Sequence, residues 1–242
     1  SSVPYEKGSQ FLFFLEHTIT NTLRAAGKDP DGELGFECCV RAWFAAHERT
    51  SVTTSDFRSH FERFYSDPCF EQAKDKVDWD LWLNSTGFPP VDVHSMFDDT
   101  LAKRAKALVS DWVEGRPVES NSMDGWTTVE VTYFLDNLLL EDSAKLSMDL
   151  TKKMAELYHF DKSSNYEIRF RWACLVLVTK LEDHYDDVIA ILGSQGRMKF
   201  LRPLYRELFQ VDKDLALSTF VAHNSKYHNI ARKMVGVDLG VE

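Results

Sequence analysis

The sequence has little of what identifies several common classes of protein. Four cysteines occur in 242 residues (Cys38, Cys39, Cys69 and Cys174), and no two of them form the Cys-x-x-Cys pair of a zinc knuckle or redox site. Lys and Arg number 28 against 38 Asp and Glu, which gives a formal net charge of -10. A chain of that sign without a basic stripe repels phosphate backbones, so we predict no nucleic-acid partner. Cysteines this few and irregular indicate reduced thiols and a cytoplasmic location.

Long apolar runs and local catalytic motifs are also absent. The longest apolar runs, such as residues 11–15 and 173–178, are far shorter than the roughly 20 residues that cross a bilayer, so no membrane partner is predicted. The sequence contains no Gly-x-Ser-x-Gly, phosphate-loop or Gly-x-Gly-x-x-Gly motif, which leaves no support for a serine hydrolase or a nucleotide-binding enzyme. The chain begins without Met or an apolar signal segment, so we interpret its start as an internal cut.

The histidines do not form a recognisable zinc motif. A catalytic zinc commonly takes two His one helical turn apart plus a carboxylate. His47 and Glu48 begin such a motif, but the second His is missing. His223 and His228 are five residues apart, which separates them by about 140° around a helix, so they cannot share a face. We therefore predict no metal ligand in this chain.

Large apolar side chains at helical spacing are abundant. Hydrophobic residues make up 44% of the chain, including 17 Phe, 8 Tyr and 6 Trp, which is enough to build a folded core. Phe11, Phe14, Leu15, Ile19 and Leu23 fall on one face of a predicted helix, and no segment alternates in the manner of a strand. The predicted fold class is all-α.

Two segments have the pattern of a capping box, in which a Ser or Thr and an acid three residues later exchange hydrogen bonds at a helix start. One is Thr127-x-x-Glu130 and the other is Ser164-x-x-Glu167. Both predict where a helix begins.

A segment rich in Gly and Pro divides the chain. Residues 85–96 contain Gly87, Pro89 and Pro90, which disfavour helix. We predict helices in 1–84, a linker in 85–96 and a second helical domain in 97–242. Short links between the later helices predict antiparallel neighbours that stack as an α-α superhelix of the HEAT-like or armadillo-like kind.

Four motifs along the chain match the pattern of one enzyme family. They are Ser-Ser-Val-Pro-Tyr-Glu-Lys-Gly at 1–8, Glu-Ile-Arg-Phe-Arg-Trp at 167–172, Gly-Arg-Met-Lys-Phe-x-Arg-Pro-Leu-Tyr at 196–205 and Met-Val-Gly-x-Asp-Leu at 234–239. Together they resemble the leukotriene-A(4) hydrolase and aminopeptidase B branch of the zinc (gluzincin) aminopeptidases. The resemblance covers nearly the whole chain. It implies the C-terminal helices of a catalytic peptidase domain, a Pro-rich linker and a C-terminal α-helical domain, in that order.

The resemblance implies roles for three residues. Tyr5 resembles the family tyrosine whose hydroxyl lies over the scissile carbonyl and stabilises the oxyanion. Arg197 and Lys199 resemble a pair that reaches into the cleft and holds a substrate carboxylate. The family's zinc ligands would precede Ser1, so zinc is expected in the intact parent but not in this chain, which we predict to be inactive alone.

The residue types by themselves leave other interpretations of these positions open. Without the family, Tyr5 would be interpreted as a packing residue, and Arg197 and Lys199 as a solvated basic edge. Because residues two apart share a face only in extended chain, 196–199 is predicted to be a loop. That loop would lead into a helix that holds Pro203 in its first turn.

Two hypotheses about function follow. In the first, the intact parent is a zinc-dependent aminopeptidase that releases N-terminal residues from short peptides, and the family also allows epoxide hydrolase activity on a fatty-acid epoxide. The partners are then the carboxylate of the peptide substrate and the missing N-terminal and catalytic domains of the same polypeptide. In the second, the chain is a non-catalytic helical scaffold or protein-interaction module, which predicts an exposed apolar face in the first 85 residues.

Overall fold

The computed structural model describes the backbone of residues 3–241 and the side chains of residues 5–241. Within that range the chain is helical and contains no strand, which confirms the predicted all-α class. None of the helices between residues 3 and 241 combines the length and the apolar character that a membrane crossing requires. The chain forms two compact units, of which the first ends at Asp98 and the second begins at Asp99.

In its described part, residues 3–98, the first unit contains five α-helices and two short 3-10 turns. They are α1 (Val3–Ala25), α2 (Phe36–Ala46), α3 (Thr54–Phe64), α4 (Glu71–Lys74) and α5 (Trp79–Asn84), with the 3-10 turns at Pro68–Phe70 and Val93–Met96. Val93, inside the predicted linker, is 1% exposed and packs in the core of this unit. The predicted domain limits, which concern a longer protein, stay a prediction.

Helix α1 buries the face that its apolar spacing predicts. Leu15, Ile19 and Leu23 are at most 1% exposed. Phe11 contacts Trp79 edge-on, with ring centroids 5.1 Å apart, and stacks on the second tryptophan of α5 at 5.0 Å. Burial of aromatic surface on this scale is a main source of stability in a small unit.

Over residues 99–241, the second unit contains eight α-helices joined by short connections. They are α6 (Thr100–Val113), α7 (Thr128–Leu139), α8 (Met148–Tyr158), α9 (Tyr166–Val178), α10 (Tyr185–Ser194), α11 (Met198–Val211), α12 (Lys213–His223) and α13 (Asn229–Leu239), with 3-10 turns at Ser143–Lys145, Phe160–Lys162, Glu182–His184 and Asn224–Lys226. The stacking of these helices into a superhelix stays a prediction.

Helix α9 lies at the centre of the second unit, in contact with α7, α10 and α11. Residues 172, 173, 175, 176 and 177 are all buried, and a helix that is apolar on several sides is typically surrounded by protein. Its first turn, by contrast, is only partly buried. The start of α9 therefore lies at the edge of the core, and the rest of the helix anchors it there.

The two predicted capping boxes have different outcomes. Thr127 caps α7, and Glu130 returns the hydrogen bond to the Thr127 backbone, as predicted. The Ser164 prediction is wrong, because Asn165 is the N-cap of α9 and its side chain accepts from the backbone N–H of Glu167. Asparagine is as good an N-cap as serine, and here it lies one residue nearer the helix.

Candidate functional site

Tyr5 lies in the first turn of α1 with its side chain 78% exposed. It therefore does not pack in the core of the described chain. Two residues on, Lys7 Nζ donates hydrogen bonds to the backbone oxygen of Ser85 at 2.7 Å and to its hydroxyl oxygen at 3.1 Å. These contacts tie the start of α1 to the end of α5 and hold the backbone that carries Tyr5.

A cavity of about 640 Å³ lies beside this anchor. It is lined by residues of α1 and of the Gly-Pro segment: Glu6, Lys7, Gln10, Ser85, Thr86, Gly87, Phe88 and Pro89. Phe88 is 94% exposed at its edge. An open, partly apolar cavity with a few charged and polar side chains at its wall has the character of a small-molecule or peptide subsite.

Arg197 and Lys199 lie in the second unit, at the start of α11. Arg197 is the N-cap with extended backbone (φ −78°, ψ 121°), and Lys199 is already in the helix. The prediction of a loop through Lys199 is therefore wrong, as is the placement of Pro203 in the first turn. Phe200 and Leu201 are at most 2% exposed, and burial of this apolar pair favours a helix that starts before them.

Both cations nevertheless lie close to the same aromatic ring. The Arg197 guanidinium carbon is 5.3 Å from the centroid of Phe200, and Lys199 Nζ is 5.4 Å from it. Phe200 itself contacts Phe170 of α9, with centroids 5.2 Å apart. A cation within about 6 Å of a ring face is attracted to it, so a buried ring positions the two charges.

Lys199 has a carboxylate partner, and Arg197 has none among the residues that the structure describes. Lys199 Nζ lies 2.5 Å from Oε1 of Glu167. Within residues 3–241 no carboxylate approaches the Arg197 guanidinium to ion-pair distance. Arg197 is exposed, so this guanidinium is available to an incoming anion with two parallel hydrogen bonds.

Glu167 is a residue of this site that the sequence reasoning missed. Its second oxygen accepts from Arg171 Nη1 at 3.1 Å, and Arg171 Nε donates to Asp136 at 2.6 Å. Lys199 first, and Arg171 after it, hold the pKa of the Glu167 carboxyl below its ordinary value. The sequence feature that could have identified Glu167 is Asn165. Asparagine caps a helix as well as serine does, and a cap at Asn165 leaves the Glu167 side chain outside the capping box.

A buried pair of tyrosines fixes the end of α10, the helix that precedes Arg197 in the chain. Tyr227 donates to the backbone oxygen of Leu192 at 2.8 Å, and its hydroxyl lies 2.8 Å from that of Tyr205 in α11. Both rings are at most 6% exposed. The connection that carries Arg197 is therefore held between two anchored helices.

The described residues do not fit a zinc ion. Between residues 3 and 241, no three His, Cys, Asp or Glu side chains are grouped in a way that could hold a metal. His47 ends α2 with Nδ1 3.0 Å from the backbone oxygen of Trp43, while Glu48 pairs with Arg49 at 3.4 Å. The beginning of a zinc motif in the sequence is thus a helix end in the structure.

Comparisons with known proteins find one family. Residues 126–239 match the family model described as leukotriene A4 hydrolase, C-terminal. The chain is 32% identical over 245 residues to leucine aminopeptidase 2 of Neurospora crassa, and 32% identical over 248 residues to leukotriene A-4 hydrolase of Xenopus laevis. The structure of native leukotriene A4 hydrolase from Saccharomyces cerevisiae resembles it with a TM-score of 0.85 and 29% identity over 99% of this chain.

The match includes both compact units, since the two sequence relatives align with 100% of the chain. The chain spans only part of each relative: 34% of the Neurospora protein, 38% of the Xenopus protein and 39% of the yeast chain.

Proposed function

Because this chain belongs to the leukotriene A4 hydrolase family, we propose that it supplies part of the reaction centre of a zinc aminopeptidase that releases N-terminal residues from short peptides. In this proposal Tyr5 stabilises the oxyanion, and Arg197 with Lys199 binds the carboxylate at the far end of the peptide. The observation that carries the proposal is the pair of cations over Phe200, one of them without a carboxylate partner among the described residues.

Tyr5 suits the role of an oxyanion donor. A phenol is a neutral donor at pH 7 and can aim its hydrogen at charge that appears only as water adds to the carbonyl. Its exposure of 78% leaves the hydroxyl open to a substrate. Loss of one such donor typically raises the barrier by about 2.7 to 4 kcal/mol, a factor of about 100 to 1,000 in kcat.

The zinc of the parent would be held by residues that this chain does not contain. Zinc supplies a polarised water at neutral pH when bound. The contribution of this chain is to orient the substrate and to donate to the oxyanion. The isolated 242-residue chain is then inactive.

The carboxylate site also supports a second activity. The similarity to leukotriene A-4 hydrolase of Xenopus laevis favours a fatty-acid epoxide as a further substrate of the parent. A fatty acid ends in a carboxylate as a peptide does, so Arg197 and Lys199 would bind either one.

A non-catalytic scaffold role is supported by exposed apolar side chains in the first unit. Tyr5 and Leu12 lie seven residues apart on one face of α1 and are 78% and 44% exposed, and Phe88 is 94% exposed. Exposed apolar surface of this kind marks a site that another protein or domain covers. The missing domains of the same polypeptide are the simplest candidate.

The proposal is tested by a paired assay of zinc content and tripeptide hydrolysis, on the 242-residue chain and on an N-terminally extended protein. We expect neither zinc nor turnover in the short chain, and both in the long one. In the long protein Tyr5→Phe should lower kcat about 100-fold or more. Tyr133→Phe, which removes a hydroxyl elsewhere, is the matched control and should leave kcat unchanged.

The carboxylate role is tested in the same protein with a tripeptide and its C-terminal amide. Arg197→Ala should raise KM for the free acid at least about tenfold and change KM for the amide little, because only the acid presents a carboxylate. Arg232→Ala, on an exposed position of α13, is the control. Equal effects on acid and amide would contradict the proposal.

A further inference from the structure

We propose that Glu167 is a specificity-determining residue of the Arg197 and Lys199 site, where it limits the bound ligand to a single negative charge. This inference rests on the proposed carboxylate role of these two cations. Glu167 offsets the charge of Lys199 at 2.5 Å, so the charges of Arg197, Lys199 and Glu167 sum to one positive charge.

Glu167 is also held by a second cation, Arg171, which contacts the other carboxylate oxygen. Arg171 Nη1 donates both to the Glu167 side chain at 3.1 Å and to its backbone oxygen at 2.9 Å. Arg171 is in turn paired with Asp136 at 2.6 Å and is only 19% exposed. One oxygen of Glu167 is therefore committed to a half-buried network, while the other faces the ammonium group of Lys199.

Glu167 is not the cap of its helix, and its charge in the first turn adds only the modest attraction between an acid and a helix start. Asn165 already caps α9, and α9 is secured by its buried face. Removal of the Glu167 charge should thus affect the site more than the fold. Lys199 remains 49% exposed, and an ammonium group has three donors, so it can bind a substrate carboxylate while it keeps Glu167.

A ligand with one carboxylate matches this arrangement. A second carboxylate on the same ligand would lie near Glu167, where like charges a few ångströms apart in a hydrated site repel by an amount equivalent to about a fivefold loss of affinity. The class of ligand that Glu167 disfavours is therefore a peptide with an acidic residue at its carboxyl end, or any dicarboxylate.

The test is an NMR titration of the 242-residue chain with N-acetylglycine, N-acetylaspartate and, as the neutral probe, N-acetylglycinamide, following the backbone amides of residues 195–200. In Glu167→Gln, we expect the ratio of the two Kd values, aspartate over glycine, to fall about fivefold, because the repulsion is lost. Asp136→Asn is the matched control, since it removes a charge from the same network without facing Lys199.

The possible outcomes separate the two proposals. An unchanged Kd ratio in Glu167→Gln, with N-acetylglycine binding weakened by Arg197→Ala, overturns the role of Glu167 and leaves the carboxylate site intact. If Glu167→Gln weakens the binding of N-acetylglycine and of N-acetylaspartate by the same factor, Glu167 only positions Lys199, and the proposal is also overturned. If neither Arg197→Ala nor Lys199→Ala weakens N-acetylglycine, both proposals fail.

Discussion

Helices α7 and α9 each carry a glutamate three residues after a hydroxyl residue, and the two glutamates have different partners. Glu130 in α7 is 5% exposed and accepts from the backbone N–H of Thr127 at 2.9 Å. Glu167 in α9 makes no contact of that kind and pairs with Lys199 of the candidate site at 2.5 Å. The first glutamate therefore completes a helix cap, whereas the second is part of the exposed candidate site.

The difference arises from one residue. Glu130 is the third residue of its helix after the cap, whereas Glu167 is the second, because Asn165 caps α9. One step along a helix turns a side chain by about 100°, which directs Glu167 away from the cap. When a neighbouring residue caps the helix, an acidic side chain in the first turn need not accept from a backbone N–H and can bind another partner.

The second unit should depend more on its buried hydrogen bonds than on its exposed ones, and Tyr227→Phe is the variant that tests this most strongly. It leaves the Leu192 oxygen and the Tyr205 hydroxyl without a buried partner, at an expected cost of about 1 to 3 kcal/mol in the free energy of unfolding. Urea denaturation measures it. Tyr166→Phe removes a partly exposed hydroxyl that contacts Ser194 at 3.2 Å and should cost less. Equal losses of unfolding free energy in the two variants would refute this distinction between buried and exposed hydrogen bonds.

A smaller effect is expected from the two helix caps. Thr127→Ala removes a working N-cap and should lower the free energy of unfolding by about 1 kcal/mol. Ser164→Ala changes an exposed residue outside the cap, so its effect should be within about 0.5 kcal/mol. Asn165→Ala should resemble Thr127→Ala. If Ser164→Ala costs as much as Thr127→Ala in thermal or urea unfolding, then Ser164 does cap α9 and the contrast between the glutamates is wrong.

A further effect is expected only in acid, from Asp238 of α13. Arg202 donates to it at 2.7 and 2.9 Å and Arg206 at 2.8 Å, and these contacts lower its pKa to about 2. Since an unfolded Asp has a pKa of about 3.9, the stabilisation is complete above that pH and is lost as the pH falls through about 2. Unfolding measured from pH 5 to 2 should show this loss in the natural chain and less of it in Asp238→Asn. An identical acid dependence would exclude Asp238 as a cause.

Much of the fold was predictable because it follows local rules. The apolar face of α1 and the capping box of Thr127 need only the spacing of nearby residues, and both appear in the structure. Arg197 and Lys199 were predicted together from their motif, but in extended chain. Their shared position instead results from Phe200, whose burial depends on Phe170 of another helix, and no local pattern could indicate that.

By itself, the sequence determined the all-α class, the absence of a local zinc motif and the residues that resemble one enzyme family, since each is written in composition or in short spacing. Only the tertiary structure decided that Asn165 and not Ser164 caps α9, and that Glu167 meets Lys199 from 32 residues away. Which of two nearby polar residues caps a helix, and what the other then contacts, depends on how that helix packs. That packing is a property of the whole core rather than of any segment.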